Sequence, residues 1–202
     1  MLPCWYEAVA SCFVTMTTTL ATALIGLFAF TGNTGAIATE EVNSRSVAPA
    51  PVNLFVKATA YNAVPEQTDA DPFTTASGLP TNPEIVAARS RDLADILPFG
   101  TIIAVEAPET GSTACGMDAV SDQIGYRVIL DVMHARKKAQ VDFLLDQNNT
   151  VVHDGKDRNP AQVLGICDGV TIRVVGQVDL THVPTTQAEL TALVEGKLLA
   201  RN

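Results

Sequence analysis

Short stretches of alternating apolar and polar residues recur along this chain, with the two-residue period of β structure. Residues 54–62 set Leu54, Val56, Ala58 and Ala60 against Phe55, Lys57, Thr59 and Tyr61, which predicts a first strand. Residues 85–88 predict a second, and residues 101–106, entered through Leu97-Pro98-Phe99-Gly100, a third. A fourth is expected at 126–132, with Tyr126, Val128 and Leu130 on one face and Arg127, Ile129 and Asp131 on the other. Residues 140–145 predict a fifth, with Val141, Phe143 and Leu145 opposite Gln140, Asp142 and Leu144; residues 170–178 predict a sixth. Six short strands with loops rich in Gly, Pro, Asn and Asp predict a mainly β chain that closes on itself.

Three stretches fall outside that pattern. Residues 108–123 read as a Gly/Ser/Asp-rich excursion containing Cys115, and residues 147–160 as a polar insertion. Near the C-terminus Leu190, Leu193, Val194 and Leu198 recur at helical spacing after Thr185-Thr186, which predicts a short amphipathic helix packed on the barrel.

The N-terminal pattern is different again. Residues 12–30 carry no charge and residues 20–30 are almost wholly apolar, so the segment is a signal-peptide core or a single membrane span of near-sufficient length. Ala36-Ile37-Ala38 fits a signal peptidase site before Thr39. The start departs from the usual leader in having Glu7 and no Lys or Arg before the apolar stretch. Export is the favoured reading, with the segment either cleaved or kept as a membrane tether. Residues 39–53, with Glu40-Glu41 and Ala48-Pro49-Ala50-Pro51, read as an exposed linker. The predicted organisation is a signal or anchor helix over 1–38, the linker over 39–53, the barrel over 54–180 and a helical tail over 181–202.

Composition narrows the function classes. A net charge of −9 over 202 residues argues against nucleic acid, which needs clustered cations to displace its counterions. The local cationic cluster Arg136-Lys137-Lys138 reads as a solvated loop. Removal of the leader would leave two cysteines, Cys115 and Cys167. In an oxidising compartment they could form a disulfide closing a loop of roughly 50 residues, and free thiols are the alternative. His134, His153 and His182 show no metal-ligand spacing, and Asp131 with His134 makes only a weak two-ligand pair. Ser77 lacks the Gly-x-Ser-x-Gly elbow of a serine hydrolase, and there is no glycine-rich phosphate loop. Neither a metal nor a cofactor is expected.

The candidate chemistry lies between Asp131 and Asp142, two carboxylates at the ends of consecutive apolar segments joined by the basic loop. Delivered by neighbouring strands into one cleft, two such acids could differ in pKa and carry acid/base work.

Several segments, in order, resemble one family. They are Ala58-Thr59-Ala60-Tyr61, the turn Thr75-Ala76-Ser77-Gly78, Ile85-Val86-Ala87-Ala88 followed by Leu97-Pro98-Phe99-Gly100-Thr101, Asp131-Val132-Met133, Val141-Asp142-Phe143, and Ala161 with Gly165. Together they resemble the 3D domain, named for three aspartates, of the double-psi β-barrel group. That group includes the membrane-bound lytic transglycosylase A catalytic domain and the rare lipoprotein A proteins. The resemblance implies a six-stranded double-psi β-barrel with a short C-terminal helix. It also implies an exported protein of cell-wall turnover that cleaves the MurNAc-β-1,4-GlcNAc bond of peptidoglycan glycan strands. By position Asp142 would be the acid/base and Asp131 its support, raising its pKa and orienting it or a sugar hydroxyl. Tyr61, Thr75 and Ser77 would line the substrate cleft. One departure stands out: the family's first aspartate follows the second strand directly, and Arg89 occupies that position, leaving Asp92 or Asp95 as substitutes from a longer loop. The rival reading is a non-catalytic barrel that binds wall glycan or a protein of the envelope.

Overall fold

The structure is a computed structural model that describes residues 52–68, 71–108 and 115–199. The predicted signal or anchor segment and nearly all of the linker lie outside those residues. Among the described residues no helix is long and apolar enough to cross a membrane.

Six strands close into a barrel: β1 (Asn53–Tyr61), β2 (Val86–Arg89), β3 (Thr101–Glu106), β4 (Arg127–Val132), β5 (Gln140–Leu144) and β8 (Cys167–Gln177). A two-stranded hairpin, β6 (Val151–His153) with β7 (Lys156–Arg158), stands outside it. The order around the barrel is β1-β5-β2-β4-β3-β8, and β8 pairs with both β3 and β1 to close it. Two pairs are parallel, β1 with β5 and β2 with β4; the other four are antiparallel. Parallel neighbours require the chain to cross over rather than turn back. This arrangement is consistent with a double-psi barrel.

Apolar residues on the two faces of the strands gather into two cores. One draws on every barrel strand, with Val56, Ala87, Ile103, Ile129, Phe143 and Ile172 among its buried members. The other joins Val86, Ile102, Val128, Leu130 and Leu144 to Leu190 and Val194 of helix α3 (Gln187–Leu199). The predicted C-terminal helix therefore packs on the barrel through Leu190, Val194 and the partly buried Leu193; the side chain of Leu198 lies outside the described residues. Its first turn is capped by Thr186, whose Oγ1 accepts from Glu189 N at 3.2 Å, while Glu189 Oε2 accepts from Thr185 N at 2.8 Å.

Both loops read as irregular contain structure. Within 108–123, helix α1 (Met117–Ile124) buries Met117, Val120 and Ile124 on one face. Within 147–160, β6 and β7 turn through Asp154 and Gly155, both at positive φ (53° and 71°). Asp-Gly is the dipeptide that a two-residue hairpin turn selects. A second short helix, α2 (Pro160–Leu164), is capped by Asn159, whose side chain accepts from Ala161 N, and packs against α1. Gly116 is required there, because a Cβ at that position would stand 2.2 Å from Val163 O.

Beside this contact Cys115 and Cys167 form a disulfide with Cα atoms 5.2 Å apart, tying the start of α1 to the first residue of β8. Arg127, fully buried at the start of β4, gives its guanidinium to backbone carbonyls: Ile124 O at 2.6 Å, Pro83 O at 2.7 Å, Leu144 O at 2.9 Å and Gln123 O. Burial pushes its pKa down to about 10. Strand, helix end and loop are thereby fastened at one point.

Candidate active site

The barrel order places four residues in one row across four strands. Thr59 of β1 is opposite Asp142 of β5, Asp142 is opposite Ala88 of β2, and Ala88 is opposite Asp131 of β4. The two aspartates are therefore not on adjoining strands, as their succession in sequence suggests. Strand β2, which precedes both in the chain, inserts between them through one antiparallel and one parallel pairing. Two strand spacings put their Cα atoms about 10 Å apart. The residue between them is an alanine, so the row has acids at both sides and little bulk at its middle.

A β-bulge aims Asp131. The β2–β4 register pairs Ala87 with Ile129 and then Ala88 with Asp131, so β4 contributes one extra residue, Leu130, between the two pairs. An unbroken ladder would have put Leu130 opposite Ala88 and Asp131 opposite Arg89. Re-aiming one side chain beside a cleft is a recurrent use of bulges.

Above the row lies a cleft of ≈ 670 Å³ lined by Tyr61, Thr75, Ala88, Asp131 and Asp142, by Asp71 of the β1–β2 connection, and by residues of the β4–β5 loop. Each acid has its own surroundings. Asp142 Oδ1 accepts from Thr59 Oγ1 at 2.7 Å, and Thr59 Oγ1 accepts in turn from Gln140 Nε2 at 2.9 Å. Burial pushes the Asp142 pKa up to about 6, against the opposing effects of the Thr59 hydrogen bond and the Lys137 charge. Burial is the largest cause, and Asp131 adds a smaller upward push.

Asp131 is held by three donors. Its Oδ1 accepts from Ala76 N at 2.9 Å and Val132 N at 2.8 Å, and its Oδ2 accepts from the Tyr61 hydroxyl at 3.0 Å. Burial and the adjoining Asp131 push the Tyr61 pKa upward, so the phenol keeps the proton it donates. The turn at 75–78 is thereby docked on the end of β4, helped by Ser77 N donating to Leu130 O at 3.0 Å.

Of the three residues expected to line the cleft, Tyr61 and Thr75 do; Ser77 is not among the lining residues, and its Oγ lies 2.9 Å from Thr75 Oγ1. Arg89 turns away from the cleft: it is buried, its Nε donates to Leu97 O at 2.6 Å, and its guanidinium lies 5.3 Å from the centre of the Phe99 ring. Neither Asp92 nor Asp95 lines the cleft in its stead. Asp92 accepts from Ala139 N at 2.9 Å, and that bond is the first cause holding its carboxyl below the ordinary range. Among the described residues the third acid at the cleft is Asp71, from a different loop.

Among the residues of the site that escaped the sequence reading are Thr59, Ala88, Gln140 and Asp71. A signal existed for two of them. Thr59 shares a strand face with Tyr61, and Gln140 shares one with Asp142, so each stood two residues from a predicted site residue. Ala88 had none, because its place between the acids is set by long-range pairing.

No known family model matches the chain, and no curated protein matches it. Among solved structures it is similar to two crystal structures of MltA from Escherichia coli, one of them described as revealing a unique lytic transglycosylase fold. The first has a TM-score of 0.32 and 16% identity over 55% of this chain and 30% of that one. The second has a TM-score of 0.31 and 16% identity over 56% and 30%. The match thus spans less than a third of either MltA chain.

Proposed function

We propose that this protein is an exported lytic transglycosylase of the cell wall, cleaving the MurNAc-β-1,4-GlcNAc bond with Asp142 as acid and then base. The observation that supports this reading is the half-buried Asp142 carboxyl, its pKa pushed up to about 6, in the lining of an open cleft. A group with that pKa holds and releases a proton near neutral pH, which is what a carboxyl serving both steps requires.

In the first step protonated Asp142 gives its proton to the glycosidic oxygen as the C1–O bond breaks, leaving positive charge shared between C1 and the ring oxygen. In the second, the Asp142 carboxylate takes the proton of the muramoyl C6 hydroxyl while O6 bonds to C1. The product is a 1,6-anhydro ring, and Asp142 ends protonated, as it began. Thr59, backed by Gln140, donates to the carboxylate form between the steps. Asp131 moves no proton in this scheme. Its three accepted hydrogen bonds make it a positioning residue that holds Tyr61 and the 75–78 turn at the cleft.

The rival, a glycan- or protein-binding barrel without activity, is favoured by one observation. The strand-end position that carries the first aspartate of the resembled family holds Arg89, which serves packing. Incubating the full-length protein with peptidoglycan separates the two. Mass spectrometry should find 1,6-anhydromuropeptides, and Asp142→Asn should abolish them. Protein that sediments with the wall but yields no anhydro product is a binding module.

A further inference from the structure

We propose that the cleft selects glycan carrying a carboxylate substituent, and that Arg91, Arg136 and Lys137 read that carboxylate; the proposal rests on the glycan-cleaving reading of the same cleft. The chain has 13 Lys and Arg against 22 Asp and Glu, so cations are scarce. Three of them nevertheless line this one cleft. Their distribution is one-sided. Arg136 and Lys137 come from the β4–β5 loop and Arg91 from the turn after β2, whereas among the described residues the β1–β2 connection contributes Asp71.

Among the described residues none of these cations is held in an ion pair; the ion pairs there use Lys57, His153 and Arg173. Their backbone, by contrast, is fixed. The loop is held at its start by Met133 N donating to Arg89 O at 2.9 Å, and within by Lys137 N donating to His134 O at 2.9 Å. At its end Ala139 N donates to Asp92 Oδ2 at 2.9 Å, while Ala139 O accepts from Lys57 N at 2.9 Å. Ala139 sits at φ 46°, a conformation unusual for a residue with a Cβ. Because Asp92 adjoins Arg91, the same bond clamps the Arg91 turn to the loop bearing the other two cations. Unpaired cations on a preorganised frame bind an anion without first ordering the backbone beneath them.

The anion should be a carboxylate on the glycan itself. Two guanidinium groups offer the planar donor pairs that match a carboxylate, and the sugar backbone of such a glycan is otherwise uncharged. The position also suits the chemistry. The Lys137 charge opposes protonation of Asp142, so a substrate carboxylate that neutralises Lys137 restores proton affinity to the acid as substrate arrives.

Two sources share this chemistry, the lactyl carboxylate of the sugar and the carboxylates of an attached peptide. Equilibrium binding with three probes of equal length resolves them: a β-1,4-N-acetylglucosamine oligomer, a peptide-free oligomer with free lactyl groups, and one bearing peptides. The full-length chain is used as Asp142→Asn, so nothing is cleaved and the outcome does not depend on whether the wild type cleaves. Carboxylated probes should bind about tenfold more tightly than the uncharged one. That gain should shrink at high salt and in Arg91→Gln/Arg136→Gln, and persist in part in Arg136→Lys, with melting unchanged. A gain already present with lactyl groups assigns the site to the sugar, and a gain only with peptides assigns it to the peptide. Equal affinity for all three probes, or a gain untouched by salt and by neutralisation, overturns the proposal.

Discussion

Asp142 is stabilised in one protonation state and penalised in the other. Its folded pKa of about 6 exceeds the ordinary 3.8, so between those values the folded protein holds a proton that the unfolded chain has released. The stabilising contribution is therefore complete below about pH 4 and is lost as pH rises through about 6. At pH 7 the half-buried carboxylate costs on the order of 2–3 kcal/mol. Asp142→Asn removes the charge and keeps an acceptor for Thr59. Denaturant titrations at several pH values should find the variant more stable than the parent at pH 7 and equal to it near pH 4. A difference that does not change with pH would assign the effect to packing instead. The residue proposed to do the chemistry is thus one whose ionised form the fold tolerates at a cost, a common trade at active sites.

At the level of elements, β2 governs the cleft although it contributes no acid to it. Four buried residues long, it separates β4 from β5 and places Ala88 between the aspartates. Ala88→Leu should fill the floor and abolish glycan binding in a sedimentation assay, at a stability cost of about 1–3 kcal/mol. Retained binding would place the glycan elsewhere. The strands themselves were legible from alternation, with boundaries close to those observed, because each buries at least one apolar row. The order around the barrel was not, since alternation states which face a residue takes and is silent on its neighbour. The bulge at Leu130 was hidden for the same reason: a period-two reading of β4 assumes an unbroken ladder. Helix α1 was missed because Gly, Ser and Asp dominate its surroundings, yet Met117, Val120 and Ile124 have the i, i+3, i+7 spacing of one helical face. The β6–β7 hairpin also had a signal in Asp154-Gly155, outweighed by the polarity of the flanking residues.

For the molecule as a whole, the disulfide couples the helical layer to the seam of the barrel. It closes a loop spanning 52 residues that contains β4, β5, the hairpin and both aspartates. The chain-entropy estimate for such a loop is about 4 kcal/mol, which corresponds to a melting shift of roughly 8–16 °C at this chain length. Cys115→Ser/Cys167→Ser, or the parent in reductant, should melt lower by that order in a thermal scan; an unchanged melting point would place the stability in the barrel alone. Strand β8, which begins at Cys167, is also the last of the six to be made. Until the ribosome has released Gln177, β1 and β3 each lack the neighbour that closes the barrel. Closure of the barrel therefore waits for the last-made of its six strands, and the nascent chain must be kept from pairing with other strands until that one arrives.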